Sequence, residues 1–223
     1  ALMAAWTGHS GEKKLRLVMG SRRDLEKAGF ENGSKADGTY EAVSKLDSTL
    51  KTFFDQLREK WPTLRGKDGD KLYVILSTDH GMADCEKVIH FGELMGALGE
   101  KVDYYVNGGI AHLWFKVPDG ADATAFAEDY DEDLRSKIYW RPYKQGSYPG
   151  TWKFPNGGEK MADRILVLKP GYSFTREKGS ESVYAPSETG GPFSASGYAV
   201  SDSSRMKGQL FVFRLDGGGY GSS

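Results

Sequence analysis

The hydrophobic pattern of this chain alternates between helical and strand-like segments. Residues 21–38 are rich in Gly, Asn, Lys and Asp and predict a loop. Between residues 39 and 61, apolar side chains recur at steps of three and four, which predicts a long amphipathic helix. Tyr73–Ser77 then forms an apolar run of strand length, and the runs 165–168 and 209–213 predict further strands. Helix, short loop and buried strand in this order indicate an α/β sheet.

The middle of the chain predicts shorter elements of both kinds. The spacing of apolar residues predicts helices over 85–98 and 121–137. Residues 102–117 predict a β-hairpin, because Asn107-Gly108-Gly109 is a turn sequence between two β-rich runs. Residues 139–158 are dense in Gly, Pro, Tyr and Trp and show no clear period.

We interpret residues 1–223 as a single domain, because no convincing linker interrupts the chain. Residues 100–160 are a candidate inserted lobe or cap, of α+β type and rich in aromatic residues. Those rings either pack the core of the lobe or form a platform for a sugar, a nucleobase or a protein. The Gly/Ser-rich residues 217–223 predict a flexible tail.

Composition narrows the function classes only modestly. Hydrophobic residues make up 39% and charged residues 27% of the chain, as in ordinary globular proteins. The net charge of −1 gives no sign of nucleic-acid binding. No apolar run approaches the roughly 20 residues of a membrane span. Cys85 is the sole cysteine, so neither an internal disulfide nor a cysteine-based zinc site is expected.

The strongest chemical signal follows the strand over Tyr73–Ser77, where the sequence continues Thr78-Asp79-His80-Gly81-Met82. A carboxylate next to an imidazole is ordinary ligand chemistry for zinc and other divalent ions. Neighbouring residues of a strand point to opposite faces, so both can reach one ion only if the chain turns there. Gly81 permits such a turn. The alternative is that Asp79 caps a following helix while His80 hydrogen-bonds to the backbone.

The Ser/Thr-Asp-His-Gly-Met sequence after a hydrophobic strand resembles the signature of the alkaline phosphatase superfamily, in its type I phosphodiesterase/nucleotide pyrophosphatase branch. Segments at 107–112, 162–174 and 197–212 resemble later parts of that family in the expected order. The resemblance implies an α/β fold whose mostly parallel, doubly wound sheet is flanked by helices. It also implies that this alkaline phosphatase-like fold is incomplete here.

The resemblance implies metal chemistry in which several expected residues are missing. Members of the family use two metal ions, usually zinc, and a Thr or Ser nucleophile far upstream of the signature, which nothing here matches. Asp79 and His80 would bind one metal ion. His9 would be the remnant of an Asp-x-x-Gly-His motif for the other ion, but Ala5 stands at the Asp position. Ser196 replaces the histidine expected before Gly-Tyr, and serine is a poor zinc ligand.

His112 is a candidate substrate-binding residue, because it follows a strand of the predicted hairpin. The alternative is a hydrogen-bonded histidine that packs beside Trp114.

Two functional hypotheses follow. In the first, the chain is the C-terminal portion of a metal-dependent phosphodiesterase or pyrophosphatase that takes a phosphate ester. In the second, it is a non-catalytic relative with a structural, assembly or binding role. Under either, we expect the isolated chain to be inactive, and another chain or a missing N-terminal segment to cover the exposed sheet. The family resemblance also implies an extracellular or periplasmic location.

Overall fold

The computed structural model describes residues 17–65, 70–149, 152 and 161–216. The helices of this part are α1 (Asp24–Asn32), α2 (Asp37–Leu64), α3 (Phe91–Met95) and α4 (Ala123–Ser136). The strands are β1 (Tyr73–Ser77), β2 (Ala83–His90), β3 (Val102–Asn107), β4 (Ile110–Phe115), β5 (Trp140–Lys144), β6 (Arg164–Leu168), β7 (Gly171–Thr175), β8 (Val183–Tyr184), β9 (Ser194–Ala195) and β10 (Leu210–Arg214).

The largest sheet has the strand order β3-β4-β6-β5, and its neighbouring strands are antiparallel. The predicted hairpin is present, with Gly108 at a positive φ of 56° in the turn between β3 and β4. All five residues of β6 are buried. The main hydrophobic core packs against this sheet and includes Phe91, Leu113, Tyr130 and Trp140.

The sheet around β2 was not predicted, since the sequence pattern suggested a helix over 85–98. β2 pairs with β7 in parallel and with β8 and β9 in antiparallel fashion. Its residues Val88 and Ile89 are fully buried. Strand pairing with distant segments therefore overrides the local helical spacing, and only the short helix α3 forms within the predicted range.

The sheet formed by β1 and β10 packs on α2. The two strands are antiparallel, with Ile75 opposite Val212 and Ser77 opposite Leu210. Leu57 of α2 forms a small core with Leu72 and Leu215, at the beginning of β1 and the end of β10. The strand predicted at Tyr73–Ser77 therefore has the predicted bounds.

The observed helices differ from the predicted ones in two places. The loop predicted at 21–38 contains α1, which packs against α2. Thr39, expected at the beginning of the long helix, lies inside α2, which begins at Asp37. The Thr39 hydroxyl donates to the carbonyl oxygens of Ala28 and Gly33, at 3.1 and 2.8 Å, and so fastens α2 to α1.

The architecture is mixed α/β, which confirms the predicted fold class. Its described strands differ from a mostly parallel sheet, because β2 with β7 is their parallel pair and the other pairs are antiparallel. The two-residue turn from β3 to β4 accounts for one of the antiparallel pairs, since such a turn requires antiparallel pairing. None of the described helices is long and apolar enough to span a bilayer. The predicted lobe at 100–160 stays a prediction, and the predicted tail at 217–223 lies outside the described residues.

Candidate metal half-site

The turn that carries Asp79 and His80 joins β1 to β2. Thr78 continues the pairing of β1, because its amide donates to the Gln209 carbonyl oxygen at 2.9 Å and its hydroxyl accepts from the Gln209 amide at 2.8 Å. The backbone then bends close to the Arg205 carbonyl oxygen, which a Cβ on Gly81 would overlap. Glycine at position 81 therefore permits the turn by leaving room for this backbone contact.

Asp79 and His80 lie side by side on this turn. Asp79 Oδ1 accepts from the amide of His80 at 3.0 Å, and Asp79 Oδ2 lies 3.7 Å from His80 Nε2. The Asp79 side chain is 88% exposed and that of His80 is 32% exposed. Asp79 caps no helix, because β2 follows the turn, so that part of the alternative interpretation is wrong. The other part is correct, since the His80 ring bonds to the backbone.

The hydrogen bond of His80 defines which ring nitrogen can bind a metal ion. His80 Nδ1 lies 2.9 Å from the Gly81 carbonyl oxygen. A carbonyl oxygen can only accept, so Nδ1 carries the proton and the neutral ring has its lone pair on Nε2. Metal-binding histidines are commonly oriented by such a bond from the other nitrogen.

The spacing of the two side chains also fits a divalent ion. Two tetrahedral zinc ligands with bonds of about 2.0–2.1 Å lie roughly 3.4 Å apart, close to the 3.7 Å between His80 Nε2 and Asp79 Oδ2. Within the described residues, however, no group of three or more His, Cys, Asp or Glu side chains could hold a metal ion. Zinc sites use three or four ligands, so the pair could supply at most half of a four-ligand site.

A second polar cluster, beside this turn, was not predicted from the sequence. Asp84 Oδ1 accepts from the amide and the hydroxyl of Ser34 at 2.9 and 2.6 Å, and Asp84 Oδ2 lies 3.4 Å from Arg205 Nη1. Burial acts to raise the pKa of Asp84, but the hydrogen bonds from Ser34 and the charge of Arg205 outweigh it and lower the pKa. The three residues are far apart in sequence, so no local motif could have indicated the cluster.

His112 lies on β4, opposite Tyr105 of β3 and Ile165 of β6. Its ring stacks at 6.1 Å from that of Trp114, and burial lowers its pKa, which favours the neutral ring. Among the described residues, no hydrogen bond, ion pair or ring contact joins His112 to Asp79 or His80.

The aromatic middle of the chain divides between two clusters. Trp140 is buried in the main core, where its ring centroid lies 5.8 Å from that of Phe174. Trp152 packs on Tyr143 at 4.8 Å, in a partly buried cluster on Ile165 and Val167. The rings are thus used for packing, as one of the two alternatives expected.

The remaining positions singled out in the sequence are His9, Ala5 and Ser196. His9 and Ala5 lie outside the described residues. Ser196 follows β9, and its carbonyl oxygen accepts from the Gly109 amide at 2.7 Å. This contact attaches Ser196 to the turn between β3 and β4.

Residues 1–199 match the type I phosphodiesterase/nucleotide pyrophosphatase family. The chain belongs to this family. The resemblance inferred from the Asp79–Met82 signature is thereby confirmed.

Solved structures of family members share the fold. Murine ectonucleotide pyrophosphatase/phosphodiesterase 5, in an inactive variant bound to AMP, is 18% identical and superimposes with a TM-score of 0.61. The human protein of the same name is 17% identical, with a TM-score of 0.62. The matches cover 84% and 85% of this chain but 44% of each relative, so the chain spans less than half of their length. None of the curated proteins matches the chain.

Proposed function

We propose that this chain supplies Asp79 and His80 to the divalent metal centre of a phosphodiesterase or pyrophosphatase-type hydrolase. Zinc is the metal ion that we propose for this centre. One observation carries the proposal: the Asp79 carboxylate oxygen Oδ2 and Nε2 of His80 lie 3.7 Å apart on one turn, and Nδ1 of His80 is engaged by the Gly81 carbonyl oxygen. Membership of the family supports the same chemistry.

The residues of the turn have distinct roles in this proposal. His80 Nε2 and Asp79 Oδ2 would hold the ion, and the Gly81 carbonyl oxygen would keep the His80 ring in the tautomer that leaves Nε2 available. A bound divalent ion supplies Lewis acidity, which neutralises charge on the oxygens of a phosphate ester. The exposed carboxylate of Asp79 leaves the pair open to such a ligand.

The described residues do not complete this centre. They provide no third ligand beside the pair, and no nucleophile is identified among them. Phosphoryl transfer depends on positioning and on charge neutralisation, so we expect the 223-residue chain alone to be inactive. The substrate, a phosphate ester, and the extracellular or periplasmic location stay predictions from the family.

The second hypothesis, a non-catalytic relative with a structural or binding role, rests on Ala5 and Ser196. Both replace residues that the family resemblance expects as metal ligands. The two hypotheses differ in what happens to metal binding when the turn is changed.

Zinc binding by the protein purified from its native host separates the hypotheses, because the two ligands of the turn alone would not retain zinc through dialysis. We expect the double change Asp79→Ala, His80→Ala to remove bound zinc, measured by elemental analysis after dialysis, and to abolish the rise in melting temperature on adding zinc. His112→Gln is the matched control, because this histidine makes no described contact with the pair, and its zinc content should stay at the wild-type level. Equal zinc content in the double variant and the wild type would favour the non-catalytic relative.

A further inference from the structure

The turn that carries Asp79 and His80 lies against the backbone of a distant part of the chain, residues 204–209, which we call the 204–209 segment. A Cβ on Gly208 would overlap the carbonyl oxygen of Thr78 and would lie 3.3 Å from that of Asp79. The φ angle of Gly208 lies outside the left-handed region, so its backbone conformation is open to other residues. Position 208 therefore lacks a side chain because two backbones touch there.

The same segment contacts the other side of the turn. A Cβ on Gly81 would overlap the Arg205 carbonyl oxygen, so backbone meets backbone here as well. The carbonyl oxygen of Gly81 in turn lies 2.9 Å from Nδ1 of His80. The segment thus touches Thr78 through Gly208 and Gly81 through Arg205. The metal-binding pair lies between these two backbone contacts.

The 204–209 segment is itself held in place by the rest of the fold. Met206 is 5% exposed and belongs to the main hydrophobic core. Arg205 Nη1 lies 3.4 Å from Asp84 Oδ2, on β2. The amide of Gln209 donates to the Thr78 hydroxyl at 2.8 Å. Because a close-packed core transmits displacement and does not absorb it, a segment anchored there can fix the position of the backbone that it touches.

The state of the His80 ring depends on where this backbone lies. Nε2 offers a lone pair only while Nδ1 carries the proton, and the Gly81 carbonyl oxygen is the acceptor that keeps the proton there. A side chain at position 208 would push the segment and the turn apart, and the acceptor would move with the turn. Residues that orient a metal ligand in this way commonly change metal affinity by about 10- to 100-fold when they are replaced.

We propose that Gly208 is a positioning residue of the Asp79–His80 pair. By letting the 204–209 segment touch the turn, it keeps His80 Nδ1 on the Gly81 carbonyl oxygen and leaves Nε2 free beside Asp79. The claim about the ring rests on the geometry alone, whereas the claim about metal affinity rests on the proposed function. The alternative is a glycine that serves only the stability of the fold, and this alternative predicts that a change at position 208 leaves the His80 ring unaltered.

The tautomer of His80 is the direct readout. In protein produced with 15N-labelled histidine, long-range 1H–15N spectra at pH 8, where imidazole is neutral in water, should show the proton on Nδ1. The signal is assigned by its loss in His80→Gln. Gly208→Ala should give a mixture of both tautomers. Gly99→Ala is the matched control, because its Cβ would crowd the Gly92 carbonyl oxygen at 3.0 Å, beyond the far end of β2, and it should keep the wild-type tautomer.

Zinc affinity is the second readout, measured on protein purified from the native host. Gly208→Ala should weaken zinc binding by about 10-fold or more, and Gly99→Ala by less than about twofold. A Gly208→Ala variant with the wild-type tautomer and the wild-type zinc affinity would overturn the proposal. If zinc does not bind the wild type while Gly208→Ala still changes the tautomer, the proposed function fails and the positioning role of Gly208 stands.

A milder change tests the same contact if circular dichroism shows that Gly208→Ala does not fold. Thr78→Val keeps the shape of the side chain but removes the hydroxyl that accepts from the Gln209 amide. We then expect a partial shift of the His80 tautomer and zinc binding that is weaker by roughly threefold, because one hydrogen bond between the turn and the segment is lost. In that case, an unchanged tautomer and an unchanged zinc affinity in Thr78→Val would overturn the proposal.

Discussion

β1 and β6 have similar sequences but very different surroundings. β1 reads Tyr-Val-Ile-Leu-Ser and β6 reads Arg-Ile-Leu-Val-Leu, and both are nearly continuous apolar runs. Every residue of β6 is buried between β4, β5 and the cores on its two faces. Alternate residues of β1 are exposed. Runs of this kind are typical of strands covered on both faces.

The difference shows that β1 is more apolar than its described neighbours require. β6 is central in a four-stranded sheet, and its apolar residues match its burial. β1 has one paired edge and one packed face, so its apolar residues Tyr73 and Ile75 stay more than half exposed. The sequence of β1 thus fits a strand that is covered on both faces better than it fits the described surroundings of β1.

The largest expected effect is on stability, and it comes from a change next to the buried strand β6. Asp131 of α4 and Arg164 of β6 form a buried, bidentate ion pair, with Nε–Oδ1 at 2.5 Å and Nη2–Oδ2 at 2.9 Å. Asp131→Ala leaves the guanidinium buried without its partner, so we expect a loss of about 3–5 kcal/mol in the free energy of unfolding, measured with urea.

An exposed ion pair provides the control. Asp103 and Lys116 lie 2.7 Å apart, with both side chains at least half exposed, so Asp103→Ala should cost less than about 1 kcal/mol. Replacing Asp131 and Arg164 together by Leu and Met should cost less than Asp131→Ala, since no charge is then left unpaired. Equal losses from Asp131→Ala and Asp103→Ala would contradict a buried ion pair.

The elements that the sequence predicted are those defined by local pattern. β1 and the hairpin at β3 and β4 follow from apolar runs and a Gly-Gly turn, and α4 has the apolar spacing and the N-cap residue, Asp122, of a helix. β2 was missed because its strand partners lie about 80 to 110 residues further along the chain. α1 was missed because its composition resembles a loop.

The candidate site also has one part that the sequence predicted and other parts that it did not. The Asp79–His80 pair could be located because its motif is contiguous and follows a strand. The bond from His80 Nδ1 to the Gly81 carbonyl oxygen depends on how the turn packs against Arg205, which no local pattern encodes. The Asp84 cluster joins three distant segments, so its contacts also had no signal in the sequence.

Shortening one apolar side chain in each of the two sheets compares their contributions to stability directly. Leu113 of β4 is fully buried in the main core, so Leu113→Ala should cost about 2–5 kcal/mol in the free energy of unfolding. Ile75 of β1 is 65% exposed, so Ile75→Ala should cost at most about 1 kcal/mol, mainly through strand propensity. Chemical denaturation of the two variants at one protein concentration measures both. A large, concentration-dependent loss in Ile75→Ala would mean that copies of the chain bury the face of the β1–β10 sheet that carries Ile75 and Val212.

The smallest expected effect concerns Asp84, which joins β2 to two segments outside the sheet of β6. Asp84 of β2 binds Ser34, which lies between α1 and α2, and Arg205, which adjoins the turn after β1. Its folded pKa lies below the ordinary 3.8, so its contribution is complete above pH 3.8 and is lost as the pH falls through the folded pKa. Asp84→Asn removes the charge and should cost less than about 1 kcal/mol at pH 7, because the side chain is 41% exposed. The difference in unfolding free energy between wild type and variant should shrink as the pH is lowered from 5 towards 3. A difference that is constant over this range would show that the charge of Asp84 does not stabilise its contacts with Ser34 and Arg205.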